Sequence, residues 1–592
     1  MRVLLLHPED VPQRGPWSAE RWDLIVDLGI STAASAAGWA EAAHAPVLRA
    51  DSFRQGVDDL KQVRKLFSHG MGRLVDEEGI DWWALTSLVI MPETEAVLVF
   101  LRMISEIDRA AELWATRPGW PAIALAGLLR RPLQSFSKGP FTQLGTRVQH
   151  YGRLFQRFSA KQIEEIFLDK YDSSYKWRAR FASRTPPLAE PLVLLPSAYE
   201  NVSRMAAAYA KLLPQQSFLL VATRQSGRLT GLPPNVQTRK LAAYMANDLP
   251  ARESTSRERT ALECAEIFEA WTKLKADLCT IPEFAVLSQA GVFDPFPRCF
   301  QDGLRARNAW RNVLEREPVC GVLCGDDSNI YTRLPVMLAA RRGIPTADFH
   351  HGAMDGRYLL KDFPCDAYLA KTEMERDYLL RVCGLPPEKI VLGAPASAQP
   401  DSAQNYSPTE LSGIVFFSEP YENAGMRTEE VYREVLPPLC RIARQNGRRV
   451  ILKLHPFESL SQRISMVRDF LPDDDFTSIT VLDGPLSQRM LSNTWFGVTV
   501  ESTTVLDCFV RGVPCFVCGW LTLSRFGYVQ QYAHFGITQI LHDVKEMDQI
   551  PVFLGNFRKS PPQEIFAKPI EPEMLRGLLG MKSPTGTLAR IS

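Results

Sequence analysis

The sequence has almost no excess of charge of either sign. Its 68 Lys and Arg residues and 67 Asp and Glu residues give a formal net charge of +1 at pH 7. A protein that wraps a nucleic-acid backbone depends on a strong positive field, and this chain has none as a whole. We therefore expect no nucleic-acid partner, and any charged ligand must be bound by local groups.

Long hydrophobic runs are also missing. No stretch reaches the roughly 18 uncharged apolar residues that a membrane-spanning helix needs. The apolar start of the chain breaks after Leu6, which is too short for a signal-peptide core, so we expect a cytoplasmic protein. The segment Trp120–Leu129, followed by two arginines, is predicted to be a buried helix. The alternative is a peripheral contact of this segment with the inner membrane.

Cysteine is absent from the first 263 residues, and the 11 cysteines that follow lie mostly in apolar runs. We interpret them as reduced thiols of a cytoplasmic protein. Cys515 and Cys518 have the spacing of a zinc knuckle, but no second pair and no His lies nearby, so the pattern favours a buried strand. We expect neither a metal nor a cofactor.

Two nucleotide-binding motifs are absent as well: the glycine-rich fingerprint of dinucleotide-dependent oxidoreductases and the Walker loop of P-loop kinases. What the chain has instead is a repeated alternation of short apolar runs with amphipathic stretches of helical length. One such unit runs through Gly321–Cys324, Tyr331–Arg342 and Pro345–Phe349. This alternation predicts an α/β protein whose parallel sheets are covered by helices on both faces.

With 592 residues the chain is long enough for two or three domains, and the alternation predicts two of the doubly wound, Rossmann-like kind. The first covers 1–395 and contains a mostly helical insertion at about 63–177. A stretch of small and polar residues at 396–411 is the predicted linker. The second domain covers 412–560, and a tail follows at 561–592. The carboxyl edges of the two sheets are then expected to face each other across a cleft, where open α/β folds bind ligands.

The strand predicted at Arg449–Leu454 is followed by a His-Pro pair. Pro456 cannot continue a central strand and holds His455 in an extended conformation at the carboxyl edge. An imidazole in that place can donate a hydrogen bond to a phosphate oxygen, and a protonated imidazole also adds charge. Alternatively, the His-Pro pair forms a simple turn at the strand end and binds nothing.

A second strand end carries hydroxyl groups. Glu501 ends a predicted strand, and Ser502, Thr503 and Thr504 stand at the start of the next helix. Free N–H groups, the helix dipole and the hydroxyls together favour an anion such as a nucleotide phosphate. An ordinary N-cap explains one of these hydroxyl residues but not all three.

The first predicted domain offers acidic and histidine candidates. Asp326 and Asp327 directly follow a strand, where a carboxylate can act as a general base or, alternatively, cap the next helix. His350 and His351 follow another strand, and Gly352 allows close approach of the backbone to a ligand. We predict no metal there, because adjacent side chains of an extended chain point to opposite sides.

These motifs resemble the GT-B glycosyltransferases of bacterial surface polysaccharide biosynthesis. The segments that carry the resemblance are Gly343–Gly352, Leu452–Pro456 and Glu501–Pro514, within about residues 320–520. The His-Pro and hydroxyl motifs are similar to those of bacterial sialyltransferases and Kdo transferases, which use CMP-activated sugars. UDP-GlcNAc 2-epimerases and CDP-glycerol glycerophosphotransferases share related patterns.

The resemblance implies a metal-independent glycosyltransferase that moves a sugar from a nucleotide donor, CMP-linked, to a glycan or glycolipid acceptor. The implied general base is Asp327 or Asp326, and His351 is a further catalytic candidate. The residues assigned to nucleotide binding are Ser418, Glu419, Lys453, His455, Pro456, Glu501, Ser502, Thr503 and Thr504. Those assigned to the acceptor are Glu9, Asp10, His350 and Gly352.

Three alternatives stay open at this point. They are a nucleotide-sugar enzyme like the UDP-GlcNAc 2-epimerases, a transferase like the CDP-glycerol glycerophosphotransferases, and a non-catalytic carbohydrate-binding protein. The acidic pair and the intact His-Pro motif count against a loss of catalysis.

Overall fold

The computed structural model describes residues 1–8, 10, 16–136, 186–223, 231–244, 250–325, 330–350, 365–395, 413–421, 426–455, 458–484, 486–522, 527–555, 557, 565 and 567–581. Within these ranges the chain forms three parallel sheets, of five, seven and six strands. Each sheet belongs to one domain, and we call these the first, middle and third domains.

The strands follow one another along the chain in three groups. The first sheet contains β1 (Arg2–Leu6), β2 (Leu24–Asp27), β3 (Val47–Arg49), β4 (Glu112–Ala115) and β5 (Leu133–Ser135). The middle sheet contains β6 (Leu192–Ser197), β7 (Ser217–Ala222), β8 (Val236–Lys240), β9 (Val319–Cys324), β10 (Thr346–Phe349), β11 (Ala367–Ala370) and β12 (Ile390–Leu392). The third sheet contains β13 (Gly413–Phe417), β14 (Val450–Lys453), β15 (Ile479–Leu482), β16 (Thr494–Thr499), β17 (Cys515–Cys518) and β18 (Gln539–Leu541).

Helices connect these strands. In the first domain they are α1 (Ala33–Ala43), α2 (Val57–Ser68), α3 (Trp82–Thr86), α4 (Met91–Met103) and α5 (Trp120–Leu129). In the middle domain they are α6 (Glu200–Ala210), α7 (Pro250–Leu278), α8 (Pro282–Gln289), α9 (Phe296–Arg316), α10 (Ile330–Arg341) and α11 (Glu373–Asp377), which a π-helical turn continues over Tyr378–Val382. The remaining helices are α12 (Thr428–Gln445), α13 (Leu460–Phe470), α14 (Asp473–Ser478), α15 (Gln488–Ser492), α16 (Thr504–Val510), α17 (Tyr528–His534), α18 (Ile550–Gly555) and α19 (Pro572–Leu578).

All three sheets have the same strand order. In each, the first strand lies between the second and the fourth, giving β3-β2-β1-β4-β5, β12-β11-β10-β9-β6-β7-β8 and β15-β14-β13-β16-β17-β18. This is the order of Rossmann-type sheets, whose chain reverses its winding between the first and the fourth strand. The predicted fold class, α/β with GT-B-type Rossmann-like domains, is confirmed, and the first sheet adds a third domain of this type.

The predicted single domain over 1–395 therefore contains two sheets. The range predicted as a helical insertion holds α2 to α5 but also β4 and β5, and residues 137–177 of it lie outside the described ranges. These two strands have only four and three residues. Both are also partly exposed, so neither forms the continuous apolar run by which the buried strands were predicted.

The first and middle domains share one continuous core. Helices from both lie between the two sheets, and aromatic rings fill the space: Trp271 of α7 stacks on Phe296 of α9 with centroids 4.8 Å apart, and Trp83 of α3 stacks on Trp271 at 6.1 Å. All three rings are buried. Because stacked aromatics bury large areas, these rings contribute strongly to the packing of the two domains against each other.

The third domain contacts both of the others at their carboxyl edges. Arg427, at the start of α12, is buried and donates to both carboxylate oxygens of Asp27, at 3.2 and 3.3 Å. Asp27 ends β2 in the first sheet. On the middle domain, Met374 follows β11 and packs with Val505 of α16 in a hydrophobic cluster of the third domain. The carboxyl edges of the three sheets therefore converge.

The described part of the C-terminal tail packs on the middle sheet. A Cβ built on Gly321 of β9 would lie 2.3 Å from the carbonyl oxygen of Leu579, just after α19, so only glycine fits there. The predicted linker at 396–411 lies outside the described residues.

Among the described residues one helical run, Trp82–Glu106, is long and apolar enough to cross a membrane, and 67% of its apolar window is buried inside the protein. The segment Trp120–Leu129 is helix α5, most of whose residues are buried, as predicted.

Candidate functional site

The third sheet reverses its winding between β13 and β16, and polar residues follow both strands at this point. The two strands pair in parallel, with Phe417 opposite Thr499. Ligands of open α/β sheets bind outside the carboxyl ends of the strands at such a reversal. The residues after β13 and β16 are Ser418 and Glu419 on one side and Glu501 and Ser502 on the other, all predicted from the sequence.

Glu419 joins the two strand ends. Its Oε1 accepts a hydrogen bond of 2.8 Å from the backbone N–H of Glu501 and one of 3.0 Å from the Thr499 hydroxyl. Burial raises the pKa of Glu419 to about 7. The hydrogen bond from the Glu501 N–H opposes this increase, and the nearby Glu501 carboxylate adds to it. Near neutral pH this carboxyl group therefore exists in both protonation states and can give or take a proton.

The hydroxyl residues form the turn that leads into α16. Ser502 donates its backbone N–H to the Thr499 hydroxyl at 3.3 Å, and its own Oγ accepts from the Thr504 N–H at 3.3 Å. Thr503 is exposed, and the Thr504 hydroxyl is buried without a hydrogen-bond partner among the described residues. The Ser502 hydroxyl therefore caps the turn that leads into α16, and Thr503, the residue directly before the helix, makes no side-chain capping bond.

The turn after β14 is held by Glu458, which the sequence reading overlooked. Its carboxylate is buried and accepts from the backbone N–H of His455 at 2.8 Å and from the Ser418 hydroxyl at 2.9 Å. The guanidinium of Arg463 and the hydroxyl of Tyr432 donate to the same carboxylate at 2.9 and 3.2 Å. The network ties the His455 turn to the end of β13, so both loops keep a fixed geometry. A glutamate three residues after a strand-end histidine was the available signal.

His455 is a neutral imidazole in this setting. Burial, and next the ammonium of Lys453, lower the pKa of His455 to about 4. At neutral pH the His455 imidazole is therefore neutral. It can donate a hydrogen bond to a phosphate oxygen but adds no positive charge.

Lys453, predicted to bind the nucleotide, is engaged by backbone carbonyls. Its ammonium donates to the carbonyls of Leu454 at 2.7 Å and Gly484 at 2.6 Å. Burial lowers the pKa of Lys453. The residue holds the loops after β14 and β15 together and adds positive charge behind His455.

In the first sheet, an ion pair lies at the point where the winding reverses, after β1 and β4. Asp10, predicted to bind the acceptor, accepts a hydrogen bond of 2.9 Å from the backbone N–H of His7 and one of 2.5 Å from the Arg117 guanidinium. It also accepts from the Thr116 hydroxyl. With both of its oxygens engaged, Asp10 fixes the loop after β1.

The other predicted residues lie at the middle sheet or outside the described ranges. His350 directly follows β10 and is partly buried. β9, which ends at Cys324, lies beside β6 at the winding reversal of the middle sheet. The predicted residues outside the described ranges are Glu9, Asp326, Asp327, His351, Gly352 and Pro456.

In the described part of the chain, no group of three or more His, Cys, Asp or Glu side chains could hold a metal ion. Cys515 and Cys518 lie in the buried strand β17, as expected from their apolar context.

Comparisons with known proteins give structural likenesses at low identity. No protein-family profile matches the chain, and no curated protein matches it either. UDP-GlcNAc 2-epimerase from Methanocaldococcus jannaschii is 11% identical with a TM-score of 0.42, over 66% of this chain and 99% of that one. The S. aureus MnaA–UDP co-structure is 12% identical with a TM-score of 0.41, over 68% and 100%. The glycosyltransferase SsfS6 of Streptomyces sp. SF2575 is 13% identical with a TM-score of 0.35, over 65% and 100%. Likenesses at this level of identity, with TM-scores below 0.5, assign no function to this chain.

Proposed function

We propose that this protein is a glycosyltransferase that binds a nucleotide-sugar donor, CMP-linked, at the carboxyl edge of the third sheet and transfers the sugar to a glycan or glycolipid acceptor. The observation that carries the proposal is the linked pair of loops at the winding reversal. Glu458 fixes the His455 turn to the end of β13, and Glu419 fixes the end of β13 to the turn that leads into α16.

The groups on this edge suit the parts of a nucleotide. A neutral imidazole and free hydroxyls can donate hydrogen bonds to phosphate oxygens, so His455, Thr503 and Thr504 are assigned to the phosphate. The carboxylate of Glu501 can accept hydrogen bonds from ribose hydroxyls, as acidic residues at strand ends of Rossmann-type sheets do.

We assign the role of removing the acceptor hydroxyl's proton to the acidic pair of the middle domain, Asp326 and Asp327. A hydroxyl that attacks an anomeric carbon must lose its proton, and a positioned carboxylate can take it. In the sequence, Asp326 and Asp327 come after Cys324 and Gly325, and Cys324 ends β9 at the winding reversal of the middle sheet. That edge and the donor edge both lie where the carboxyl edges converge, which supports Asp327 or Asp326 as the base.

Donor preference tests the proposal against its nearest rival. Stabilisation by CMP, CDP, UDP and GDP at equal concentration is measured as the shift in melting temperature, because a ligand that binds only the native state raises apparent stability. We expect the largest shift with CMP. A larger shift with UDP would instead favour a UDP-GlcNAc 2-epimerase-like enzyme, and no shift with any nucleotide would remove the donor site.

The proton balance of nucleotide binding tests the role of His455. A bound phosphate favours the imidazolium form and so raises the His455 pKa from about 4. Between the free and bound pKa values, binding takes up a proton, and affinity rises as the pH falls. We expect the ratio of the CMP affinity of the wild type to that of His455→Asn to increase as the pH falls from 7.5 to 5.5, by at most about tenfold per pH unit, the limit for uptake of one proton.

Calorimetric titration in two buffers of different ionisation enthalpy measures this proton uptake. The variant provides the control for the ligand's own titration, which is common to both proteins. Identical pH profiles for the two proteins would remove His455 from the phosphate site.

A further inference from the structure

A cavity of about 600 Å³ lies where the three domains meet. The first domain contributes Asp51, Arg54 and Gln55, the middle domain contributes Val382, and the third domain contributes Gln530 and Gln531. Its size is within the roughly 300–1,000 Å³ of small-molecule sites in proteins. None of the residues assigned to the donor or to the base lines it.

Each wall of the cavity follows a strand at the converging carboxyl edges. The first-domain wall comes directly after β3, and the third-domain wall follows β17. Val382 ends the π-helical turn that continues the helix after β11. The carboxyl edge is the ligand-binding edge of such sheets. The cavity therefore combines the ligand-binding edges of three domains in one place.

The charges around the cavity cancel in pairs. Asp51 accepts from the guanidinium of Arg49 at 2.5 Å, and Arg54 donates to the buried carboxylate of Glu95 at 2.6 Å. An anionic ligand would therefore find no unbalanced cation here, whereas a cationic ligand would find no unbalanced carboxylate. The balance favours a neutral ligand.

Side-chain amides provide most of the remaining polar groups, and Thr522 adds a hydroxyl. Gln55, Gln530 and Gln531 each carry an amide with donor and acceptor atoms, which matches the double role of a sugar hydroxyl. The Oε1 atom of Gln531 is buried and has no hydrogen-bond partner among the described residues. A buried acceptor without a partner costs free energy, and a ligand hydroxyl would satisfy it.

We propose that this junction cavity binds a neutral, polyhydroxylated segment of the acceptor glycan. This proposal rests on the proposed glycosyltransferase function. The cavity would hold a part of the acceptor glycan that is distant from the hydroxyl that reacts. Val57 and Val382 are the two aliphatic side chains among the ten residues that line the cavity.

Helix α17 connects the cavity with the donor edge. Gln530 and Gln531 lie at the cavity, and the next residue, Tyr532, is buried on another side of the helix. Tyr532 packs in the same buried hydrophobic cluster as Phe417, at the end of β13, and Val505 of α16, so the donor edge lies close to that side. A glycan held in the cavity would thus lie one helix away from the donor.

Two substitutions test the cavity. Gln530 is exposed at the cavity wall, so Gln530→Trp can fill the mouth without disturbing the core. Gln531→Leu removes the unpartnered acceptor at nearly constant volume. The matched control is Ala533→Trp, which adds the same ring at an exposed position of the same helix that does not line the cavity.

Binding is measured on an array of short neutral and acidic oligosaccharides, and hits are titrated in solution. We expect the wild type to bind neutral glycans, Gln530→Trp and Gln531→Leu to bind them at least about tenfold more weakly, and Ala533→Trp to bind like the wild type. The loss corresponds to about 1.4 kcal/mol. Far-ultraviolet circular dichroism and melting temperature verify that each variant is folded.

Three results would overturn the cavity assignment: no glycan bound by the wild type, a preference for acidic glycans, or equal binding by wild type and both cavity variants. The CMP-induced melting shift is recorded on the same samples and is expected to be unchanged in the cavity variants. A wild type that binds neutral glycans through the cavity but no nucleotide would contradict the proposed transferase while leaving the cavity assignment intact.

Discussion

Replacing Asp327 with Asn is expected to lower kcat by about two to four orders of magnitude, the contribution typical of a positioned general base. Nucleotide affinity is expected to stay nearly unchanged, because the phosphate contacts are assigned to the third domain. Asn keeps the size and the hydrogen-bonding shape of Asp but cannot take the proton. Single-turnover and steady-state rates with a CMP-sugar, compared with calorimetric affinity, separate the two effects.

Asp326→Asn is the matched variant for this experiment. The alternative role of either residue is to cap the following helix, for which Asn is nearly as good as Asp. If both variants keep near-normal turnover, neither residue is the base. His350 and His351, at the neighbouring strand end, are then the next candidates.

The second large effect is expected on stability, from Glu458→Ala. Glu458 and Arg463 are both buried and joined by a hydrogen bond of 2.9 Å. Removing one partner of such a pair leaves an uncompensated buried charge, which typically costs about 3–5 kcal/mol. The His455 turn also loses its acceptor, so we expect weaker nucleotide binding in whatever fraction stays folded.

An exposed ion pair supplies the control. Glu429 accepts from Arg433 on α12, and both side chains are about half exposed, so Glu429→Ala is expected to cost less than about 1 kcal/mol. The double variant Glu458→Leu/Arg463→Leu is expected to recover part of the loss, since no buried charge is left unpaired. Thermal unfolding compares all of them. A Glu458→Ala melting temperature no lower than that of Glu429→Ala would contradict the account of this network.

Buried strands could be predicted from the sequence because they are continuous apolar runs. The apolar runs singled out at Gly321–Cys324 and Pro345–Phe349 and the strand predicted before His455 lie within a residue or two of β9, β10 and β14. The strands that the pattern missed are mostly sheet edges: β3, β5, β8 and β18 each end a sheet. An edge strand is half exposed, as the polar β8 (Val236–Lys240) shows, and so lacks the apolar run. Because β3 and β5 were not predicted, the first sheet was not recognised as a separate sheet.

The candidate site was predicted only in part, for a similar reason. Strand ends mark the positions of His455, Glu419 and Glu501, because the carboxyl edge follows from the alternation of strands and helices. The partners that fix those positions come from elsewhere in the chain: Tyr432 from α12 and Arg463 from α13. Contacts between separate elements leave no periodic signal in a single sequence. The engagement of Lys453 by backbone carbonyls was hidden for the same reason.

The central claim is that the His455 edge of the third domain binds the phosphate of the donor nucleotide, and calorimetric titration of CMP tests it most directly. The proteins compared are the wild type, His455→Ala and the control His542→Ala, which changes an exposed histidine of the same domain. A hydrogen bond to a charged group contributes about 1.5–3 kcal/mol, so His455→Ala is expected to bind CMP roughly 10- to 150-fold more weakly. His542→Ala is expected to bind like the wild type, and all three are expected to melt at similar temperatures. Equal affinity of His455→Ala and wild type, with both proteins folded, would contradict the claim.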